Sequence, residues 1–448
     1  MPGDEATEVR RIEAPQSPLI PLQIAWIAEE TSRIRVRQTA WEGYQRAGIV
    51  EPDEVQQLRA AERSQGDVAA QADAYAALYA KLLGKISRTD TLQVVLVLLI
   101  NLVEAAGPAV LQGAIDPLLK LLASDDIFVQ VTAAQLIVAG VSAVPASKET
   151  KAAAKQLMPV LTRLVGQHGG DAALLLIAEL LRLDWVRSSV WESELEEEAS
   201  VIPALLGAVR ADDKEGTSAE RTQIQYLALF ALWIFTFDKE VARGLDVHFG
   251  AASILVTAGR GVLKEKIIRM IVSIFANMLR HSSDNAARLL GAGAMPLAET
   301  LRQRRYADPD LEQGLDYVLR QLHDRLELMS SYDQYIAELE SGHLLFDSPT
   351  HTLEDFWREN AERLVENDGR DLAKLVRLLG PTTPEDPTTY AVACSDVAYF
   401  LRYFESGRRR LDALGAKARI MELVEYPDGN VKHYALQALT RLVSASWR

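Results

Sequence analysis

Polar or glycine-containing breaks recur along the first part of this chain at intervals of roughly 35 to 48 residues. The breaks lie at residues 88–90, 124–126, 169–171, 216–218 and 259–261. Between them come paired apolar segments with helical spacing, such as residues 128–141 followed by 152–165. A pair of this kind can cover its apolar face only by stacking on the next pair. The pattern therefore predicts an all-α fold, an armadillo/HEAT-like α-solenoid.

Two strongly apolar segments fit this prediction. Residues 92–103 are apolar almost all round, which indicates a helix enclosed by neighbours on several sides. Residues 226–237 form the longest nearly unbroken apolar run, shorter than the roughly 20 residues that span a bilayer. We interpret it as a core helix.

The sequence predicts a second, smaller helical repeat-like domain after residue 330. A chain of 448 residues with 48% hydrophobic residues is long enough for two cores. We expect a disordered tail at 1–16, an amino-terminal solenoid at 17–330 and a carboxy-terminal domain at 331–448. The predicted interdomain hinge consists of three residues, Ser330, Ser331 and Tyr332.

The start of the next helix carries a capping pattern. The order Thr352-Leu353-Glu354-Asp355 has capping-box spacing, with Thr352 as the predicted N-cap. One apolar face then follows at helical spacing, formed by Trp357, Ala361, Leu364 and Val365.

The net charge and the cysteine content limit which classes of function and which cellular compartments fit this chain. A net charge of −14 argues against broad binding to nucleic acid or anionic membranes. The one cysteine, Cys394, is expected to be buried and inert, and fits a reducing compartment such as the cytosol. Residues 1–15 resemble neither a secretory signal nor a transit peptide.

No residue pattern indicates catalysis, a cofactor or a metal. Residues 290–294 are glycine-containing but lack the lysine of a phosphate-binding loop. The seven histidines show no paired spacing for a metal, and His343 and His351, which flank Asp347, are expected in a solvated loop. The acidic cluster at residues 192–198 is expected on a solvated helix face.

The predicted carboxy-terminal domain is electrically polarised. Residues 331–400 hold 14 acidic and 5 basic residues, whereas residues 401–448 hold 9 basic and 5 acidic residues. Five of these basic residues, here called the basic patch, are Arg408, Arg409, Arg410, Lys417 and Arg419. These residues are either ordinary exposed charges or a surface that steers the domain onto an acidic partner.

Seven distinctive segments follow one another along the chain: WEGYQRAGI, WVRSSVW, IQYLALFALWIFTF, KEKIIRMIVSIFANML, SYDQYIAEL, SPTHTLEDFW and GAKARIMELVEYPDGNVKHYALQAL. Together they resemble the family of the regulatory H subunit of the vacuolar-type proton ATPase (V-ATPase), over residues 20–448. The resemblance implies a non-catalytic subunit of the cytosolic ATP-hydrolysing sector.

The same resemblance implies partners and a mechanism. The amino-terminal domain would bind a peripheral stalk made of the E and G subunits on the cytosolic face of vacuolar or endosomal membranes. The carboxy-terminal domain would take two positions, one supporting coupled pumping and one silencing ATP hydrolysis in the detached sector by bridging the catalytic head and central rotor. Two alternatives stay open: an armadillo/HEAT adaptor for transport or cytoskeletal partners, and a helical enzyme with an unrecognised site.

Overall fold

The computed structural model describes residues 24–63, 69–196, 200–210, 217–381 and 386–443, and within these ranges it contains helices and no β-strand. The predicted tail at 1–16 lies outside the described residues. The chain divides into two compact units, residues 1–204 and 205–448.

The helices before and across the division are α1 (Ala25–Arg35), α2 (Trp41–Arg46), α3 (Pro52–Glu62), α4 (Ala72–Lys85), α5 (Thr89–Ala106), α6 (Ile115–Leu121), α7 (Ile127–Ser142), α8 (Lys148–Leu164), α9 (Gly170–Leu180), α10 (Asp184–Leu195) and α11 (Val201–Arg210). The later helices are α12 (Ser218–Phe235), α13 (Lys239–Phe249), α14 (Ala251–Arg260), α15 (Glu265–His281), α16 (Asp284–Gly291), α17 (Ala294–Arg302), α18 (Pro309–Leu328), α19 (Ser331–Ser341), α20 (Pro349–Thr352), α21 (Glu354–Asn360), α22 (Arg370–Arg377), α23 (Pro387–Tyr403), α24 (Arg408–Ala413), α25 (Ala416–Val424) and α26 (Gly429–Val443). Short 3-10 helices occupy Pro108–Ala114, Glu362–Val365, Asn367–Gly369 and Glu405–Gly407.

In the first unit, α5, α7 and α9 pack side by side. Residues 91–100 of α5 are all buried, which confirms the prediction of an enclosed helix. By length and composition alone α5 could cross a membrane, but 67% of its apolar window is buried inside the protein. Enclosure by neighbouring helices accounts for its apolar character.

In the second unit, α12, α15 and α18 pack side by side in the same way. Hydrogen bonds between neighbouring repeats join residues 41 to 43 positions apart, namely Gln223 with Lys266, Thr236 with Asn277, Arg269 with Asp310, Ala242 with Asn285, and Glu265 with Asp308. A constant offset of this size is the register of a repeat array, and it confirms the predicted solenoid.

The carboxy-terminal helices surround a core centred on α23 and α26. Its largest fully buried side chains are Tyr335, Trp357 and Phe400. Cys394 of α23 is buried as predicted, and burial together with the charge of Asp396 raises the pKa of its thiol to about 12.

One local prediction in this region is wrong. Thr352 is the last residue of α20, and the N-cap of α21 is Leu353, which makes no side-chain capping bond. Thr352 instead belongs to the short helix α20. This helix begins one turn earlier, at Pro349, because proline is favoured at the first position of a helix. The predicted apolar face is nevertheless buried at Trp357, Ala361 and Leu364.

Candidate interaction surfaces

The basic patch lies on α24 and α25, and its members differ in how they are held. Arg408 donates to the carbonyl of Arg441 at 3.2 Å, and Arg410 donates to the carbonyl of Asp368 at 3.3 Å. Arg419 forms an ion pair with Glu422 at 2.9 Å. Three of the five cations are therefore engaged within the protein.

The other two members of the basic patch are better placed to meet a partner. Arg409 and Lys417 are exposed, and no carboxylate among the described residues lies within ion-pair distance of either. An exposed cation without an internal partner keeps its full hydration and charge for an incoming carboxylate.

The predicted hinge residues lie where α18 gives way to α19. Met329 and Ser330 have extended backbone, and the Ser330 and Asp333 side chains form a capping box that starts α19. Tyr332 lies in the helix and is buried; its hydroxyl donates to Asp371 at 3.0 Å, and the Arg363 guanidinium stands 3.8 Å from its ring centroid.

Helix α19 makes a close backbone contact with α16 that the sequence did not indicate. A Cβ added at Gly291 would overlap the carbonyl group of Ala337. Beside this approach, Ser253 donates to the carbonyl of Ser341 at 3.1 Å, and Arg288 lies 3.8 Å from Glu340. The start of the carboxy-terminal region is therefore fitted against the last helices of the repeat array.

A charged network lies inside the carboxy-terminal core. His351 Nδ1 lies 2.8 Å from Asp396 Oδ2, and its Nε2 lies 2.6 Å from Glu338 Oε2. The hydroxyl of Tyr335 donates to the same Asp396 oxygen at 3.1 Å. Burial alone would lower the pKa of His351, but the two carboxylates outweigh it and raise that pKa to about 10.

Two predictions that place charged or titratable residues in solvent are wrong. His351 is fully buried rather than in a solvated loop, and His343 is paired with Asp386. In the acidic cluster, Glu194 is buried and accepts a hydrogen bond from the backbone of Ile202 at 2.9 Å, while residues 197 and 198 lie outside the described residues. Burial raises the pKa of Glu194.

A row of aromatic rings along α12 is a further surface that the sequence reasoning missed. The aromatic stripe, as we call it, consists of Tyr226, Phe230, Trp233 and Phe237. The first three are half-buried and Phe237 is 49% exposed, so the apolar run at 226–237 is not wholly the core helix that we predicted. The i, i+4, i+7, i+11 spacing of the four aromatic residues was the available signal.

Comparison with known families accounts for nearly the whole chain. Two family models, both described as the H subunit of the V-ATPase, match residues 25–322 and 328–447, in that order. This chain belongs to the V-ATPase H subunit family.

Relatives within the H subunit family match this chain to different extents. The H subunit of the V-type proton ATPase of Drosophila melanogaster is 33% identical over 231 residues, which is 50% of this chain and 48% of the relative. The chain thus spans about half the length of the first curated relatives it matches. A probable H subunit of the V-type proton ATPase of Oryza sativa subsp. japonica is 26% identical over 92% of this chain and 96% of its own length.

Similar solved structures include a computationally designed armadillo repeat protein for modular peptide recognition. It has 19% identity and a TM-score of 0.41, with 55% of this chain and 98% of that chain covered. The assignment to the H subunit family rests on the family match and not on this likeness.

Proposed function

We propose that this chain is a non-catalytic regulatory subunit of the cytosolic sector of the vacuolar proton-pumping ATPase. The observation that carries the proposal is the match of both H subunit family models in order along the chain. The protein acts on the cytosolic face of vacuolar or endosomal membranes through the assembled complex.

Each end of the chain has its own role in this proposal. Residues 17–330 bind the peripheral stalk made of the E and G subunits, for which a helical repeat array offers long surfaces. Residues 331–448 move between two positions. In the assembled pump they support coupled ATP hydrolysis and proton transport. In the detached sector they bridge the stationary head and stalk to the central rotor, which stops rotation without contacting nucleotide.

The basic patch is the proposed inhibitory contact, with Ser330, Ser331 and Tyr332 as the interdomain hinge. The support for the patch comes from the exposed cations Arg409 and Lys417, since the other three members already have partners within the protein. Charge-assisted pairs with a partner carboxylate would hold the domain in its inhibitory position.

Charge reversal tests this contact. We expect Arg409→Glu with Lys417→Glu to restore ATP hydrolysis by the detached sector several-fold, because each buried or partly buried pair lost weakens binding by about 1 kcal/mol or more. The measurement is ATPase activity of the purified sector as variant protein is titrated in.

The matched control replaces two exposed cations of α22, with Arg370→Glu and Arg377→Glu. This variant has the same change in net charge and is expected to inhibit as the wild type does. Equal inhibition by the basic-patch variant would remove the patch from the mechanism. Failure of the wild-type chain to bind the sector at all would instead contradict the proposed function.

A further inference from the structure

The aromatic stripe is unusual for a protein surface. Four large rings follow one another along α12 and the turn after it, and the last of them is half exposed. Apolar side chains that stay partly exposed in one contiguous row can form a surface that another molecule covers. Aromatic rings are also the side chains that contribute most to such contacts.

The spacing of the rings indicates the shape of the covering element. Successive ring centroids are 6.3, 5.8 and 5.1 Å apart. A helix laid along the stripe presents side chains about every 5.4 Å, the pitch of one turn, whereas an extended strand presents alternate side chains about every 6.6 Å. Over the three intervals, the repeat of a helix follows the ring spacing more closely than the repeat of a strand does.

The neighbouring helix α15 supplies charge along one side of the stripe. Lys266 Nζ stands 4.5 Å from the ring centroid of Tyr226, and its hydrogen bond is to the neutral Gln223. At the other end, Arg280 donates to Asn277, whose side chain in turn donates to Thr236 at the end of α12. Neither Lys266 nor Arg280 lies within ion-pair distance of a carboxylate in the described part of the chain.

Cations outnumber carboxylates around His281: Arg280 and Lys239 lie there with Asp238, and Arg243 is ion-paired with Glu240 at 3.2 Å. Burial lowers the pKa of His281, and the charges of Arg280, Lys239 and Arg243 lower it further, with Asp238 acting in the opposite direction. A surface with this charge favours acidic groups on whatever covers it.

We propose that the aromatic stripe docks an amphipathic helix of the peripheral stalk, with its apolar side on the rings and acidic residues facing Lys266 and Arg280. These cations lie fourteen positions apart on α15, about 21 Å along the axis. The acidic residues of the docked helix therefore lie about four turns apart. This inference rests on the proposed function, because it takes the E and G subunits as the source of the helix.

Binding of the full-length chain to the purified E and G heterodimer tests the inference. We expect Trp233→Glu with Phe237→Glu to weaken the dissociation constant at least about tenfold, since two aromatic anchors are lost. The control is Val36→Glu with Leu353→Glu, which places two glutamates at apolar positions that are 81% and 56% exposed elsewhere on the chain. It is expected to bind as the wild type does.

A second variant avoids the aromatic residues. Lys266→Glu with Arg280→Glu keeps all four rings of the stripe, although it removes the cations that stand over Tyr226 and Tyr317. It is expected to weaken binding about tenfold at low salt, with a smaller loss at high salt. If circular dichroism shows that the aromatic variant is unfolded, the binding measured for this charge variant decides whether the inference stands. Unchanged binding by the folded variants overturns the inference.

The outcomes separate the docking surface from the proposed function. Wild-type chain that does not bind the heterodimer contradicts stalk binding itself. If the wild type binds and both variants bind equally well, the proposed function stands, but the aromatic stripe is not the surface that binds the stalk. Variants that keep stalk binding but lose binding to phosphatidylserine vesicles would assign the stripe to a membrane surface, which also overturns the inference.

Discussion

His351 carries a positive charge inside the protein because carboxylates stand at both ring nitrogens. The glutamate comes from α19 and the aspartate from α23, so the imidazolium joins two helices that are far apart in sequence. Removing one partner from a buried ionic group leaves the others unpaired in a medium that solvates them poorly. His351 therefore stabilises the packing of α19 against α23 in the carboxy-terminal core.

Replacing His351 tests this role. We expect His351→Gln to lower the free energy of unfolding by about 3–5 kcal/mol near neutral pH, because Asp396 and Glu338 lose their buried counter-charge. Chemical denaturation of the full-length chain measures this change in the free energy of unfolding. The control is His433→Gln, the same change at an exposed histidine, for which we expect a change within about 0.5 kcal/mol.

The stabilisation by His351 has a defined dependence on pH. The pKa of an unfolded-chain imidazole is about 6.5, and in the folded protein that of His351 is raised to about 10. The folded chain thus keeps a proton that the unfolded chain releases between these values, so the stabilisation is complete below about pH 6.5 and is lost as the pH rises towards 10.

A pH series makes this quantitative. We expect the difference in unfolding free energy between wild type and His351→Gln to shrink by about 1.4 kcal/mol per pH unit between about pH 7 and 10. Groups outside the His351 network titrate alike in both proteins and cancel in the comparison. A difference that stays constant with pH would show that His351 is neutral in the folded chain.

At the scale of elements, the close approach of α16 and α19 depends on glycine. Because a methyl group at Gly291 would overlap the Ala337 backbone, α19 can take its observed place only if this position has no side chain. Backbone cannot move aside as a flexible side chain can, so the whole helix would shift.

Substitution by alanine separates this effect from helix propensity. We expect Gly291→Ala to destabilise the protein by about 1–3 kcal/mol through overpacking, with faster amide exchange over residues 331–341. Gly84→Ala is the matched control, since nothing lies within 4 Å of a Cβ there, and alanine is expected to stabilise that helix by up to about 1 kcal/mol. Stabilisation at both positions would contradict the close contact.

Capping shows how far local patterns predicted the elements. The stretches 330–333 and 352–355 both carry the spacing of a capping box, and of these two the chain uses only the first. Both satisfy the local rule. What differs is the neighbouring α20, which takes Thr352 into its own last turn, and no pattern within four residues reports that.

At the scale of the whole molecule, the contact of α19 with α16 bears on the proposed two-position switch. Movement of the carboxy-terminal region about Ser330 to Tyr332 requires that this contact separate, because the part of α19 that meets α16 lies beyond these residues. The energy of the α16–α19 contact would then set part of the balance between the two positions.

Truncation after Met329 tests the proposal that the amino-terminal region binds the stalk and the carboxy-terminal region inhibits ATP hydrolysis. We expect the shortened chain to bind the stalk as the full chain does and to lose its inhibition of ATP hydrolysis, because the bridging residues are absent. Stalk binding and ATPase assays measure the two activities on one preparation. An aggregated product would indicate that the face of α16 left bare by removal of α19 belongs to a shared core.

The sequence by itself determined the helical class, the repeat interval and the family, because each depends on residues close together along the chain or on the order of long segments. Tertiary structure alone decided that His351 is buried between Glu338 and Asp396, that Gly291 meets Ala337, and that the aromatic rings on one side of α12 stay partly exposed. These contacts join residues on different helices, and their geometry follows from how the helices stack. Local spacing specifies which side of a helix is apolar, whereas stacking determines which apolar or charged side chains are covered.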